Sequence, residues 1–242
     1  MTQSLFAADV ADRFAARTYK GAAGELKYRL FTPADYDAQK KYPLVLFFHG
    51  AGERGDDNTK QLVHGMQDFS SAAVQQKYPC FIVAPQCPND EQWVNVPWSA
   101  AEHTMPQKPA KSLQLSLDLL KSLQDEFSID PKRMYVTGLS MGGYATWDII
   151  QREPELFAAA APICGGGDKA GAKVMASLPL WAFHGGSDSA VNPQRSRDMI
   201  AAIKAAGGAP KYTEYEKVGH DSWSATYRDP EFYAWLFAQQ RD

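Results

Sequence analysis

The stretch RMYVTGLSMGGYATW, residues 133–147, constrains the fold more than any other part of the chain. Met134-Tyr135-Val136-Thr137 is a short apolar and β-branched run, which predicts a buried strand. From Tyr144 the spacing turns helical, with Tyr144, Trp147 and Ile150 recurring on one face. Between the two sits Gly138-Leu139-Ser140-Met141-Gly142, a G-x-S-x-G in strand-turn-helix context. A serine at so sharp a turn has to adopt a strained backbone, and glycines two residues to either side let strand and helix approach closely. Its hydroxyl then stands above the sheet beside the positive end of a helix, where an oxyanion is stabilised. The stretch predicts Ser140 as a nucleophile; the plainer reading is a glycine-rich joint with an incidental serine.

Strand and helix patterns alternate through the remainder. Residues 17–21 and 25–32 read as a hairpin at a sheet edge, joined by Gly21-Ala22-Ala23-Gly24. The run Tyr42–Phe48 is continuously apolar, as expected of a strand covered on both faces. A helix is expected over 60–77, loosened at Gly65 and carrying His64 on its surface; a strand follows over 80–84. Residues 85–109 form the longest irregular segment and begin at the carboxyl end of a strand, the edge where open α/β sheets bind ligands. Its Trp93 and Trp98 read either as flat surfaces of a substrate wall or as packing anchors, and His103 as a surface residue. Leu113, Leu117, Leu120 and Leu123 mark a helix over 111–127. Further strands are expected at 157–164, 178–183 and 211–217. Helices are expected near 169–177, after Pro193 up to Gly207-Gly208, and over 231–240. This order predicts an α/β fold, a mostly parallel sheet with helices on both faces.

At 242 residues, 45% hydrophobic and 22% charged, the chain suits one soluble domain, 1–242, with residues 1–16 as an N-terminal extension. A net charge of −3 with no basic run beyond Lys40-Lys41 argues against nucleic acid as a partner and against a polybasic membrane patch. No apolar run is long enough to span a bilayer, and the first residues lack the basic and apolar regions of a signal peptide. The chain therefore reads as cytoplasmic, or as exported with its signal removed. Cys80 and Cys87 bracket one expected strand at about 20 Å, too far for a disulfide, so they and Cys164 read as free thiols. Their spacings fit no zinc pattern, and neither metal nor organic cofactor is expected.

Chemistry-bearing residues recur at the carboxyl ends of strands. Ser140, Asp188 and His220 follow three different strands in the order nucleophile, acid, base, so residues distant in sequence can meet. Asp188 is preferred as the acid, with Asp168 as its competitor, whereas Asp221 is too near His220 to orient its ring. His49 and His184 precede glycine turns, where a histidine braces loops. The turn His49-Gly50-Ala51-Gly52-Glu53-Arg54-Gly55 offers the backbone N–H of Ala51 as one oxyanion donor and the helix start offers that of Met141 as the second. A phosphate loop would need Gly-Lys-Ser/Thr, which this turn lacks.

Five motifs, HGAGERG, APQCP, GLSMGG, HGGSD and GHDSW, resemble the α/β-hydrolase superfamily over residues 17–242. More narrowly, they are similar to small esterases related to polyhydroxybutyrate depolymerases, feruloyl esterases and the catalytic domain of prolyl oligopeptidases. The resemblance implies an eight-stranded sheet with its second strand antiparallel, a Ser140-Asp188-His220 triad, and Ala51 and Met141 as oxyanion donors. Residues 164–178 leave room for one short helix and no cap domain, unlike the lidded members. A carboxylesterase acting on short-chain or hydroxycinnamoyl esters, small or polymer-attached and including carbohydrate-linked ones, is the expectation. A serine peptidase of the prolyl oligopeptidase type and a non-catalytic binding module on the same fold are the alternatives.

Overall fold

A computed structural model describes residues 10–241. Eight strands form one sheet: β1 (Ala15–Gly21), β2 (Gly24–Phe31), β3 (Tyr42–Phe48), β4 (Phe81–Pro85), β5 (Ile129–Leu139), β6 (Ala159–Ile163), β7 (Trp181–Gly185) and β8 (Lys211–Tyr215). Their spatial order is β1-β2-β4-β3-β5-β6-β7-β8. β2 runs antiparallel to both its neighbours, and every other pairing beyond it is parallel. The apolar run predicted at Tyr42–Phe48 is β3, near the middle of the sheet and buried at all seven positions. Its alternation divides the core: Leu44, Leu46 and Phe48 belong to one cluster, Val45 and Phe47 to the other.

The larger cluster is covered by α3 (Lys111–Glu126), α4 (Met141–Arg152) and α5 (Gln194–Ala205), through Leu113, Tyr144, Trp147 and Met199. The other is covered by α1 (Met66–Phe69), α6 (Trp223–Arg228) and α7 (Pro230–Ala238), through Phe69, Tyr227 and Phe232. Between β6 and β7 the chain carries a single 3-10 turn, Lys169–Gly171, so the helix expected over 169–177 is absent and no cap domain is inserted there. No helix among the described residues is long and apolar enough to cross a membrane.

The helix expected over 60–77 is instead three pieces: a 3-10 turn Lys60–Leu62, α1, and α2 (Ala72–Lys77). Gly65 takes a left-handed φ of 73°, where a Cβ would meet the Tyr227 ring at 2.8 Å, and Ser71 caps α2 by accepting from the Val74 N–H. Of the extension read at residues 1–16, residues 1–9 lie outside the described residues. Residues 10–13 form a helical turn, Val10 and Phe14 are buried in the core, and β1 begins at Ala15. Arg29 of β2 fixes this segment, donating to the carbonyls of Ala11 and Phe14.

All three thiols are free and buried. Cys80 lies in the smaller cluster, just before β4, and Cys87 in the larger, just after it; burial pushes both thiols up to about 12.

Candidate active site

The turn between β5 and α4 is set by backbone contact. A Cβ on Gly142 would lie 1.9 Å from the Phe48 carbonyl oxygen, so only glycine lets α4 start this close to β3. Ser140 is forced into a conformation that side chains rarely adopt, φ 54° and ψ −116°. Its N–H donates to Ile163 O at 3.0 Å, and its carbonyl accepts the first helical bond from the Tyr144 N–H at 3.1 Å. Ser140 makes no side-chain cap to the helix, which leaves its hydroxyl free for another partner.

That partner is His220, whose Nε2 lies 2.9 Å from Ser140 Oγ. On the opposite side of the ring Nδ1 lies 2.7 Å from Asp188 Oδ2. An ionised carboxylate only accepts, so Nδ1 carries the proton and Nε2 is left to accept from the serine hydroxyl. Asp188 follows β7, and its side chain is wholly buried. Burial opposes its charge. Yet His184 and His220 donate to it, and the N–H groups of Ala190 and Val191 reach Oδ1 at 2.8 and 3.0 Å, holding the carboxyl well below its ordinary range. His184, fully buried, stands 3.2 Å from Asp188 Oδ2 and 2.8 Å from Ser196 Oγ, bracing the loop. Asp168 is elsewhere employed: it accepts from the N–H groups of Met105 and Ala170. Asp221 accepts from the N–H and hydroxyl of Ser224.

Beneath the relay lies Cys164, at a φ of 40°. Its Sγ, an Asp188 oxygen and a His220 nitrogen fall within 4.8 Å of one another. Burial raises this thiol far above its ordinary value, and His220 Nδ1 is already committed to Asp188.

The turn after β3 lies against the end of β5, where a Cβ on Gly50 would meet Leu139 Cδ1 at 2.9 Å. Ala51–Glu53 is a 3-10 turn, and neither the Ala51 nor the Met141 N–H finds an acceptor among the described residues. His49, 1% exposed, braces the turn: Nδ1 donates to Gly50 O at 2.6 Å and Nε2 accepts from the Cys87 N–H at 3.0 Å. Burial lowers its pKa to about 4, so it is neutral at pH 7. Arg54 Nε donates to Ala51 O at 3.0 Å, and its guanidinium lies 5.8 Å from the Trp98 ring.

The two tryptophans separate here. Trp93 is 0% exposed, packs against Phe48 and His49, and donates its indole N–H to His49 O at 3.1 Å. It has no face to offer a substrate, and the substrate-wall reading of Trp93 is corrected to a packing anchor under the turn. Trp98 is half-buried and reaches the Ala51 turn through Arg54.

Two histidines expected on the surface are partly buried against neighbours. His103 sits half-buried between Arg195 and the Tyr144 ring, and burial followed by the Arg195 charge lowers its pKa to about 4. His64, freed from a helix by the bend at Gly65, packs 5.2 Å from the Trp223 ring, with Nε2 3.5 Å from Glu53 Oε1. Burial raises the Glu53 carboxyl, but His64, His49 and the Gly50 N–H outweigh it and leave the group below its ordinary value. Trp223 in turn packs perpendicular to His220, ring centres 5.4 Å apart. The sequence signal for Trp223 was its place in GHDSW, three residues beyond His220.

Residues 21–204 match the Esterase family model, described as "Putative esterase". A segment of 128 residues is 32% identical to poly(3-hydroxyalkanoate) depolymerase C of Paucimonas lemoignei, covering 51% of this chain and 28% of that protein. Over 90 residues the chain is 31% identical to the bifunctional acetylxylan esterase/xylanase XynS20E of Neocallimastix patriciarum, covering 37% of this chain and 13% of that one. The chain thus spans under a third of these curated relatives. Among solved structures, a thermostable esterase superposes with a TM-score of 0.89 at 42% identity, over 96% of this chain and 64% of that one. The S954A mutant of a feruloyl esterase module from Clostridium thermocellum, complexed with sinapinate, gives a TM-score of 0.68 at 18% identity over 94% and 87%, a likeness of fold.

Proposed function

The chain belongs to the Esterase family, and on that footing we propose that it hydrolyses carboxylic esters through an acyl-enzyme on Ser140. The observation that carries this reading is the continuous relay from Ser140 Oγ through His220 to Asp188, at 2.9 and 2.7 Å. Ser140 Oγ attacks the ester carbonyl as its proton passes to His220 Nε2. Asp188, fixed by four donors, keeps the ring in the tautomer that can accept that proton and stabilises the imidazolium formed. The negative charge developing on the carbonyl oxygen falls to the unengaged N–H groups of Ala51 and Met141. Collapse of the intermediate breaks the ester C–O bond, and His220 returns the proton to the departing alcohol. Water, deprotonated by the same nitrogen, then attacks the acyl-enzyme, and Ser140 leaves with its proton restored.

The substrate class follows from what does not cover the serine. With a single 3-10 turn between β6 and β7, that side of the cleft stays open to bulky alcohols and polymer-attached esters. A long acyl chain has no cap to bury it, and each methylene left in water forgoes about 0.8 kcal/mol. Short-chain and hydroxycinnamoyl esters, carbohydrate-attached ones among them, therefore fit best, with Trp98, beside Arg54 of the Ala51 turn, as the remaining stacking surface. The test is a steady-state series of p-nitrophenyl esters from acetate to palmitate beside methyl ferulate and a peptide p-nitroanilide. Acetate or butyrate should lead, ferulate should turn over, and the anilide should stay at background. A specificity constant that climbs steadily with chain length, or faster cleavage of the anilide, overturns the assignment.

A further inference from the structure

His220 is held by two hydrogen bonds that both lie in its ring plane, one to Asp188 and one to Ser140. The ring still turns about its Cβ–Cγ bond, and that motion carries both nitrogens off these lines. Against the ring, perpendicular at 89°, stands Trp223, and on Trp223 stands His64 at 5.2 Å. His64 reaches Glu53, the last residue of the 3-10 turn that starts at Ala51. These contacts close a circuit from the base back to the oxyanion turn. The indole N–H of Trp223 is buried and has no hydrogen-bond partner among the described residues. What Trp223 contributes to the circuit is therefore its ring.

We propose that Trp223, backed by His64 and Glu53, is a positioning residue for His220 that matters most in deacylation. The inference rests on the acyl-enzyme reading above. During acylation both in-plane bonds are present. Once Ser140 carries the acyl group its hydroxyl proton is gone, and the ring loses the bond on Nε2. Asp188 alone then holds the imidazole while it must aim Nε2 at a water, and the perpendicular indole is the remaining restraint. Loss of aim by about an ångström lowers a rate by as much as about 100-fold.

The test is the split between kcat and kcat/KM on p-nitrophenyl acetate, with pre-steady-state release of p-nitrophenol. Trp223→Ala should lower kcat about 10- to 100-fold but kcat/KM by less than about 3-fold, so that KM falls and a burst stoichiometric with enzyme precedes a slow steady state. Trp223→Phe should restore most of kcat, because a ring without the N–H suffices. His64→Ala and Glu53→Gln should move kcat in the same direction by about 3- to 10-fold. The double variant His64→Ala/Trp223→Ala should be no slower than Trp223→Ala alone, since His64 acts through the indole. Should Trp223→Ala not fold, the Glu53 and His64 variants carry the same split. Equal losses in kcat and kcat/KM, a rise in KM alone, or losses that multiply in the double variant each overturn the proposal. Labelling by a fluorophosphonate keeps the two readings apart: an unlabelled wild type overturns the esterase reading and this one with it. Normal labelling of wild type and variants without the split overturns this one alone.

Discussion

His49 makes the acid limb of stability calculable. Its ring is satisfied only when neutral, with Nδ1 donating to Gly50 O and Nε2 accepting from the Cys87 N–H. A second proton on Nε2 would turn two donors toward each other in a site sealed from water. Folding therefore lowers the pKa from 6.5 to about 4. Above 6.5 the ring is neutral folded and unfolded, and it contributes nothing to the pH dependence. Between 6.5 and about 4 the unfolded chain binds a proton that the folded one refuses, so stability falls as pH falls. At about 1.36 kcal/mol per pH unit, the loss reaches about 2.5 kcal/mol by pH 4.5 and about 3.4 kcal/mol below both values. His103 pulls in the same direction, whereas Asp188, with its lowered pKa, loses its contribution only below the ordinary carboxylate range. His49→Gln offers the same donor and acceptor without the titration, so the difference between the two proteins isolates His49. Urea unfolding followed by tryptophan fluorescence at about pH 7.5 and 4.5 measures it. Relative to its own stability at pH 7.5, the wild type should lose about 2.5 kcal/mol more than His49→Gln on acidification. Equal losses would mean that the ring protonates in place, and the argument from its two bonds would be wrong.

Other outcomes follow from the same geometry. Ser140→Ala should remain folded, by an unchanged thermal midpoint, while losing both turnover and labelling by a fluorophosphonate. Asp188→Asn should cost about 10³- to 10⁴-fold in kcat by stabilising the wrong imidazole tautomer, against less than about 3-fold for Asp168→Asn, which only ties the Met105 and Ala170 backbone. Should Asp168→Asn prove the damaging change, the acid has been misplaced. Gly142→Ala should fail to yield folded protein or lose more than about 4 kcal/mol, because its Cβ meets the Phe48 backbone and no side chain can swing aside. A soluble Gly142→Ala with a native melting point would refute that packing.

What could be read from sequence was what local pattern dictates. A seven-residue apolar run is a doubly covered strand whatever surrounds it, and β3 matches it residue for residue. The glycines around Ser140 announced a close backbone approach before any neighbour was known. Patterns failed where the deciding partner was remote. Residues 60–77 have helical composition, but Gly65 turns left-handed against Tyr227, and Ser71 restarts the helix by capping it. Residues 169–177 read as helix yet make only one 3-10 turn, begun by the Asp168 cap. α6 went unread because its six residues, Trp223–Arg228, are too short to show a period. Around the site, the approach of Ser140, Asp188 and His220 to one another was legible from their order along the chain. The surroundings that tune them were not: Trp93 lies under a turn fixed by His49, and His64 touches a residue 159 positions away, Trp223. No spacing rule carries such contacts.

The three buried thiols give this molecule an internal record of where it opens. An alkylating reagent attacks only a thiolate that it can reach, and burial denies both conditions to Cys80, Cys87 and Cys164. Each therefore reacts at a rate set by how often its own surroundings part. Cys80 touches Gln75 of α2 and reports the departure of that helix from the sheet. The N–H of Cys87 is bound to His49, so its thiol reports the Ala51 turn. Cys164 lies beneath the relay and reports separation of β6 from β7, to which its own N–H is bonded through Phe183 O. Site-resolved alkylation kinetics would thus rank three regions of one native fold by their local stability, without a single substitution.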